Sequence, residues 1–170
     1  LELEPDALER LGALTVALHD LAKLAQGWQD AAWRWQQSVR PAAARSGFVA
    51  HTDQDLTDRH QRDLWRSGRY RMPGHAAEGA YGALPTLQNA ATAVPDEDLA
   101  EEVGWALASA IARHHGGEMR SLDDFALPAP ARGAAQSSLA AAGIGLSVFQ
   151  DHPSSSTRNT FPTRRIDPSE

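Results

Sequence analysis

"PDEDLAEEVGWALASAIARHHGG", residues 95–117, decides the fold class. Asp96 follows Pro95 as an N-cap, and Glu97 and Asp98 put negative charge where a helix dipole is positive. Leu99, Val103, Leu107 and Ala110 then recur at helical spacing, and the same stripe continues onto His114. Gly116-Gly117 supplies the stop. The spacing predicts a helix that carries a histidine pair to its C-terminal end.

Outward from this segment the period stays helical. Leu11, Leu14, Leu18, Leu21 and Ala25 make one face of a first helix, ended by Gly27. Trp28, Ala32, Trp35 and Val39 make a second stripe, stopped by Pro41. Residues 41–73 hold no period and read as a long irregular loop with short helical turns. A loop of that length inside a domain is usually functional or mobile. A third helix starts near His75 and runs toward Leu87, weakened by Gly79, Gly82 and Pro85. Leu127–Arg132 reads as a Pro/Ala linker, followed by a glycine-interrupted helix from about Ala134 to Gln150. From Pro153 the chain is rich in Ser, Thr, Pro and Arg, which suits a flexible tail, disordered or lying along a partner. With no internal repeat and no convincing strand, the expectation is an all-α bundle. One domain spans 1–152 and a tail spans 153–170.

The 170 residues suffice for one core, and the mean hydropathy of -0.44 is that of a soluble protein. No apolar run is long enough to span a membrane and no signal peptide is visible, so the expected location is cytoplasmic. The chain opens on Leu1 without a methionine, as an excised or processed piece of a longer protein would. The absence of cysteine excludes disulfides and thiolate metal sites, leaving His, Asp and Glu for any transition metal. A net charge of -6 argues against a general coat of basic charge. Yet "DRHQRDLWRSGRYRMPGH", residues 58–75, interleaves Arg59, Arg62, Arg66, Arg69 and Arg71 with Trp65 and Tyr70. Arginines with flat rings suit a single-strand groove, charge for phosphates and aromatics for bases. A solvated loop, its arginines paired with Asp55, Asp58 and Asp63, accounts for the same stretch.

Four of the seven histidines fall in three short stretches: His19 with Asp20, His75, and His114 with His115. Each stretch sits at a different helix end, and nitrogen and oxygen ligands converging from several helices are how all-α proteins build metal sites. Asp20 is the natural bridging ligand, because its two oxygens can serve two ions, which together can hold the attacking and leaving oxygens of a phosphodiester. Singly, each piece has an ordinary reading: a core histidine, a chance dipeptide, a helix stop. In order, within one helical chain, they outweigh it. The only lysine, Lys23, follows the His-Asp pair by one turn in a chain with fifteen arginines. A compact ammonium there is not interchangeable with a guanidinium fork.

"LHDLAK", "GHAAE" and "ARHHGG" resemble the HD superfamily of metal-dependent phosphohydrolases. The double histidine before glycine is most similar to the HD nuclease domain of CRISPR-associated nuclease-helicases. The resemblance covers His19 to Gly116 and implies an all-α domain that cuts single-stranded DNA with one or two divalent transition-metal ions. By position it makes His19, Asp20, His75, His114 and His115 metal ligands and places Lys23 on the scissile phosphate. It also implies a helicase domain on the same or a partner chain, and a CRISPR effector complex in antiviral defence. Nitrogen and oxygen ligands fit Mn, Fe, Co, Ni or Zn. This chain departs from the family in four places. Ala22 replaces a glycine, Ala76-Ala77 intervene before Glu78, Leu1–Leu18 hold no histidine, and Asp151 is a poor match in context to the family's late metal-binding aspartate. Four ligands of one ion are then in place (Asp20, His75, His114, His115). The outer ligands of a second would come from His51, His60, Asp151 or His152, or from outside the chain, unless only one ion binds tightly.

Two other functions fit parts of the pattern. A phosphohydrolase of nucleotides or cyclic nucleotides would use the same metal residues around a closed base pocket. A non-catalytic interaction domain would keep the fold with a degenerate metal set.

Overall fold

The computed structural model describes residues 5–115 and 125–141. Helix α1 (Pro5–Leu18) leads through a two-residue turn into a 3-10 turn, Leu21–Leu24, and then α2 (Gln26–Val39). Helix α3 (Arg59–Arg66) lies within the long connection, followed by α4 (Ala76–Ala91), α5 (Glu97–Ala112) and α6 (Ala129–Ala141). The described residues contain no strand, so the all-α reading holds. Residues 41–73 are irregular apart from α3, as expected. The expected tail, 153–170, lies outside the described residues, as do Gly116-Gly117.

The antiparallel pair α4 and α5 is the centre of the bundle, with α1 against both. Small residues set how close that pair comes. A Cβ added at Gly104 of α5 would lie 3.2 Å from the Cα of Gln88 on α4. The buried row of α5 is accordingly Ala100, Gly104, Ala108 and Ile111. The expected stripe, Leu99, Val103, Leu107 and Ala110, lies one residue round the helix. Its three larger members are only partly buried and Ala110 is exposed. The larger side chains have the look of a core in sequence, but close approach selects the small ones. Pro85 sits inside α4 without ending it. An interior proline costs about 3 kcal/mol. Here Ala80, Ala83, Leu84, Leu87 and Ala91 are all buried around it, enough apolar contact to carry the helix to Ala91. The last described helix begins at Ala129, inside the expected linker, and sends Ala131, Ala135 and Leu139 into the core in steps of four.

Two helix ends differ from expectation, and both build the site. The first helix does not run to Gly27: it stops at Leu18, and Asp20 takes φ -108°, ψ 10°. The apolar face survives the break, because Leu21, Ala22 and Ala25 remain buried, which is why the period reads straight through. Gly27 instead lies in the first turn of α2. The α5 helix ends at Ala112 rather than at the glycines. His114 is therefore on a turn, not on the helical stripe.

Candidate metal centre

Each histidine and the aspartate owe their place to a chain break. Asp20 occupies the turn between α1 and the 3-10 turn. His75 is the N-cap of α4, and its side chain makes no capping bond. His114 and His115 follow the end of α5. The 3-10 turn packs on α4 where Gly79 leaves room: a Cβ there would lie 3.5 Å from both the amide nitrogen and Cβ of Ala22. That contact sets the Asp20 turn beside the start of α4.

One ligand atom from each of Asp20, His75, His114 and His115 lies within 4.8 Å of the others. Asp20 Oδ1 is 3.3 Å from His75 Nε2 and 3.6 Å from His114 Nε2. His75 and His115 bring their Nε2 atoms to 2.8 Å. His19 stands beside this group, not in it. Its Nε2 is 3.2 Å from the other carboxylate oxygen, Oδ2, and its ring is 5.2 Å from that of His114.

Protonation makes the cluster receptive to a cation. His114 Nδ1 is 2.6 Å from the Ile111 carbonyl, which can only accept, so that nitrogen carries the proton and Nε2 presents a lone pair. The same bond from His19 Nδ1 to the Val16 carbonyl, at 2.6 Å, fixes the same tautomer. Asp20 Oδ1 is buried and receives no hydrogen bond among the described residues. An orphaned carboxylate oxygen facing the His114 lone pair lacks positive charge, and a divalent ion fits a donor set of carboxylate and imidazoles. Burial, with the charges of Lys23 and His115, lowers His75 to about 4, so its imidazole is neutral near neutral pH. Burial and His114 lower His115 as well. Burial pushes the Asp20 carboxyl up, but the Lys23 hydrogen bond and the nearby positive charges outweigh it and leave it below its ordinary value.

A pH effect follows for protein stripped of metal. Between the unfolded imidazole value of 6.5 and the folded value of about 4, unfolded chains hold a proton that folded chains do not. Stability is therefore full above 6.5 and lost as pH falls toward 4. Urea unfolding of chelated protein at about pH 7 and about pH 4.5 measures it. His75→Gln should flatten the difference; an undiminished difference would assign it elsewhere.

Lys23 is buried and its Nζ donates to Asp20 Oδ2 at 2.7 Å. The ammonium also lies 5.8 Å from the centre of the Trp28 ring, which packs T-shaped with His75, their ring centres 6.2 Å apart. Asp20 thus divides its oxygens, Oδ1 toward His75 and His114 and Oδ2 toward Lys23 and His19. Sequence reasoning placed Trp28 in a core stripe and missed this contact. It also assigned no role to the buried Gln29, which carries no periodic or motif signal.

The arginine segment packs its rings on α2. Trp65 and Tyr70 set their rings edge-on against buried Trp35, at 5.6 and 5.9 Å. These aromatics anchor the segment to α2. Arg59, Arg66, Arg69 and Arg71 are exposed, and Arg62 donates to the Leu56 carbonyl at 3.2 Å. Of the three nearby carboxylates, Asp63 lies 3.8 Å from Arg59, Asp55 accepts from Thr57, and Asp58 caps α3. His51 and His60 are exposed, whereas Asp151 and His152 lie outside the described residues.

A family model described as "Cas3, HD domain" matches residues 1–160. The chain belongs to the Cas3 HD-domain family. No match to the chain was found among curated proteins or solved structures. As a Cas3 HD domain the chain falls among the metal-dependent nucleases of CRISPR defence, a family associated with a helicase and a CRISPR complex. Divalent metal binding belongs to HD domains, and the Asp/His cluster is its candidate seat here. No helix among the described residues is long and apolar enough to cross a membrane.

Proposed function

We propose that this Cas3 HD domain hydrolyses phosphodiester bonds of single-stranded DNA, fed by a helicase on the same or a partner chain, in the cytoplasm. The observation that carries the reading is the convergence of Asp20, His75, His114 and His115 around one point, with the ammonium of Lys23 one carboxylate oxygen away. These four side chains would hold a divalent transition-metal ion (Mn, Fe, Co, Ni or Zn), with His19 beside them as a fifth ligand or the start of a second site. Such an ion supplies Lewis-acid charge and an activated water for attack on phosphorus.

The chain's own residues do the rest. The neutral His75 imidazole and an ionised Asp20 offer lone pairs without first losing protons. An ammonium has three hydrogens, of which Asp20 engages one, so Lys23 can donate to a phosphate oxygen while still held in place. Charge fixed beforehand at the developing negative charge is the strongest form of electrostatic catalysis. The exposed arginines add phosphate contacts along an entering strand, which position it without reading bases.

The test is cleavage of circular single-stranded DNA by metal-loaded and chelated protein. Cleavage that needs metal and is lost in His114→Ala supports the reading; cleavage indifferent to chelator contradicts it. The arginine contribution has its own measurement. Arg66, Arg69 and Arg71 changed together to alanine should weaken strand binding and flatten the plot of log affinity against log salt by about 2. An unchanged slope would make this segment a solvated loop.

A further inference from the structure

Beyond the ligand cluster, α2 carries a second arrangement that no part of the reaction has yet used. Gln29 is buried at 4% exposure, and both ends of its amide are bound by main chain from two separate segments. Its Nε2 donates to the Lys23 carbonyl at 2.7 Å and to the Val49 carbonyl at 2.8 Å, while its Oε1 accepts from the Val49 amide at 2.9 Å. Two turns along, Gln36 holds Asp53 similarly: its Nε2 donates to the Asp53 carboxylate and its Oε1 accepts from the Asp53 amide, both at 3.2 Å. Two glutamines seven residues apart on one helix thus tether residues 49–53 of the long loop. Only the Gln29 rung also reaches the 3-10 turn.

That turn is where Lys23 gets its direction. The turn closes through Lys23 N–H to the Asp20 carbonyl at 2.9 Å, and breaks at Ala25, whose ψ of 143° is extended. A carbonyl at such a break has no regular helical donor to rely on, and Gln29 supplies one. We infer that Gln29 is a positioning residue for Lys23, fixing the backbone from which the ammonium reaches the Asp20 carboxylate and linking it to the loop at Val49. The inference rests on Lys23 acting on the phosphate, as proposed above. A buried amide with all three bonds made is rigid, and losing the donor alone leaves two carbonyls without partners. Val49 continues toward α3, so the segment bearing the arginines and the turn bearing Lys23 share one support.

The experiment compares four proteins, each metal-loaded: wild type, Gln29→Met, Lys23→Ala and the double variant, with Gln36→Ala as a loop-only control. Gln29→Met should lower kcat on single-stranded DNA by roughly 10- to 100-fold, with KM and bound metal near wild type. The double variant should be no worse than Lys23→Ala alone, because the glutamine acts through the lysine. Gln36→Ala should speed exchange of the Asp53 amide and leave kcat unchanged, separating loop tethering from lysine placement. Multiplicative losses in the double variant, or wild-type kcat in Gln29→Met, would overturn the inference while leaving the nuclease reading intact. Wild-type kcat in Lys23→Ala would instead overturn the role of Lys23 itself. If Gln29→Met does not fold, Gln29→Glu retains the acceptor for Val49 and removes the donated bonds, with the same expectations.

Discussion

Asp20→Ala is expected to lower metal-dependent cleavage of single-stranded DNA by at least about a thousandfold, a loss larger than that of a single oxyanion donor. One oxygen of this carboxylate faces His75 and His114, and the other holds Lys23. Alanine removes a ligand and the anchor of the ammonium together, so bound metal should fall with activity. Stability should fall too. An ammonium and imidazoles surround Asp20, and Lys23 is buried. Leaving that ammonium unpaired is costly. The partial exposure of Asp20 moderates the cost, to about 1–2 kcal/mol. Asp20→Asn keeps an oxygen for Lys23 and should recover most of the stability without cleavage. Purified Asp20→Ala that still cuts would show that the His-Asp pair is not the catalytic centre.

Lys23→Arg is expected to cost on the order of a hundredfold in turnover while metal content stays near wild type. Every other basic side chain of this type in the sequence is already arginine, so composition alone predicts no harm. The slot predicts otherwise. Lys23 is buried, its Nζ lies 2.7 Å from Asp20 Oδ2, and the Trp28 ring stands beside it. A planar guanidinium is wider and places its charge farther along the stem. It would either displace the carboxylate or carry its charge past the phosphate. Near-normal turnover with metal held constant would reduce Lys23 to a structural partner of Asp20.

The fold class was legible because the apolar period is helical wherever it is sustained, and the four clustered side chains stood out because each lies in a short motif. What escaped depends on contacts between segments. The apolar face of α1 continues through Leu21 and Ala25, so nothing in the period reveals that the helix breaks at His19. The row Ala100, Gly104 and Ala108 looks unremarkable beside Leu99 and Val103 until the distance to Gln88 decides the packing. Trp65 and Tyr70 look the same in sequence whether they face a nucleic acid or Trp35. Gln29 gives no signal, because its partners are backbone atoms six and twenty residues away.

Anomalous diffraction from crystals of the protein loaded with Mn or Zn tests the account most directly. The account predicts an ion peak bounded by Asp20, His75, His114 and His115, about 2.0–2.2 Å from their ligand atoms, absent in Asp20→Ala. Metal-dependent cleavage from a protein whose ion lies elsewhere would contradict it.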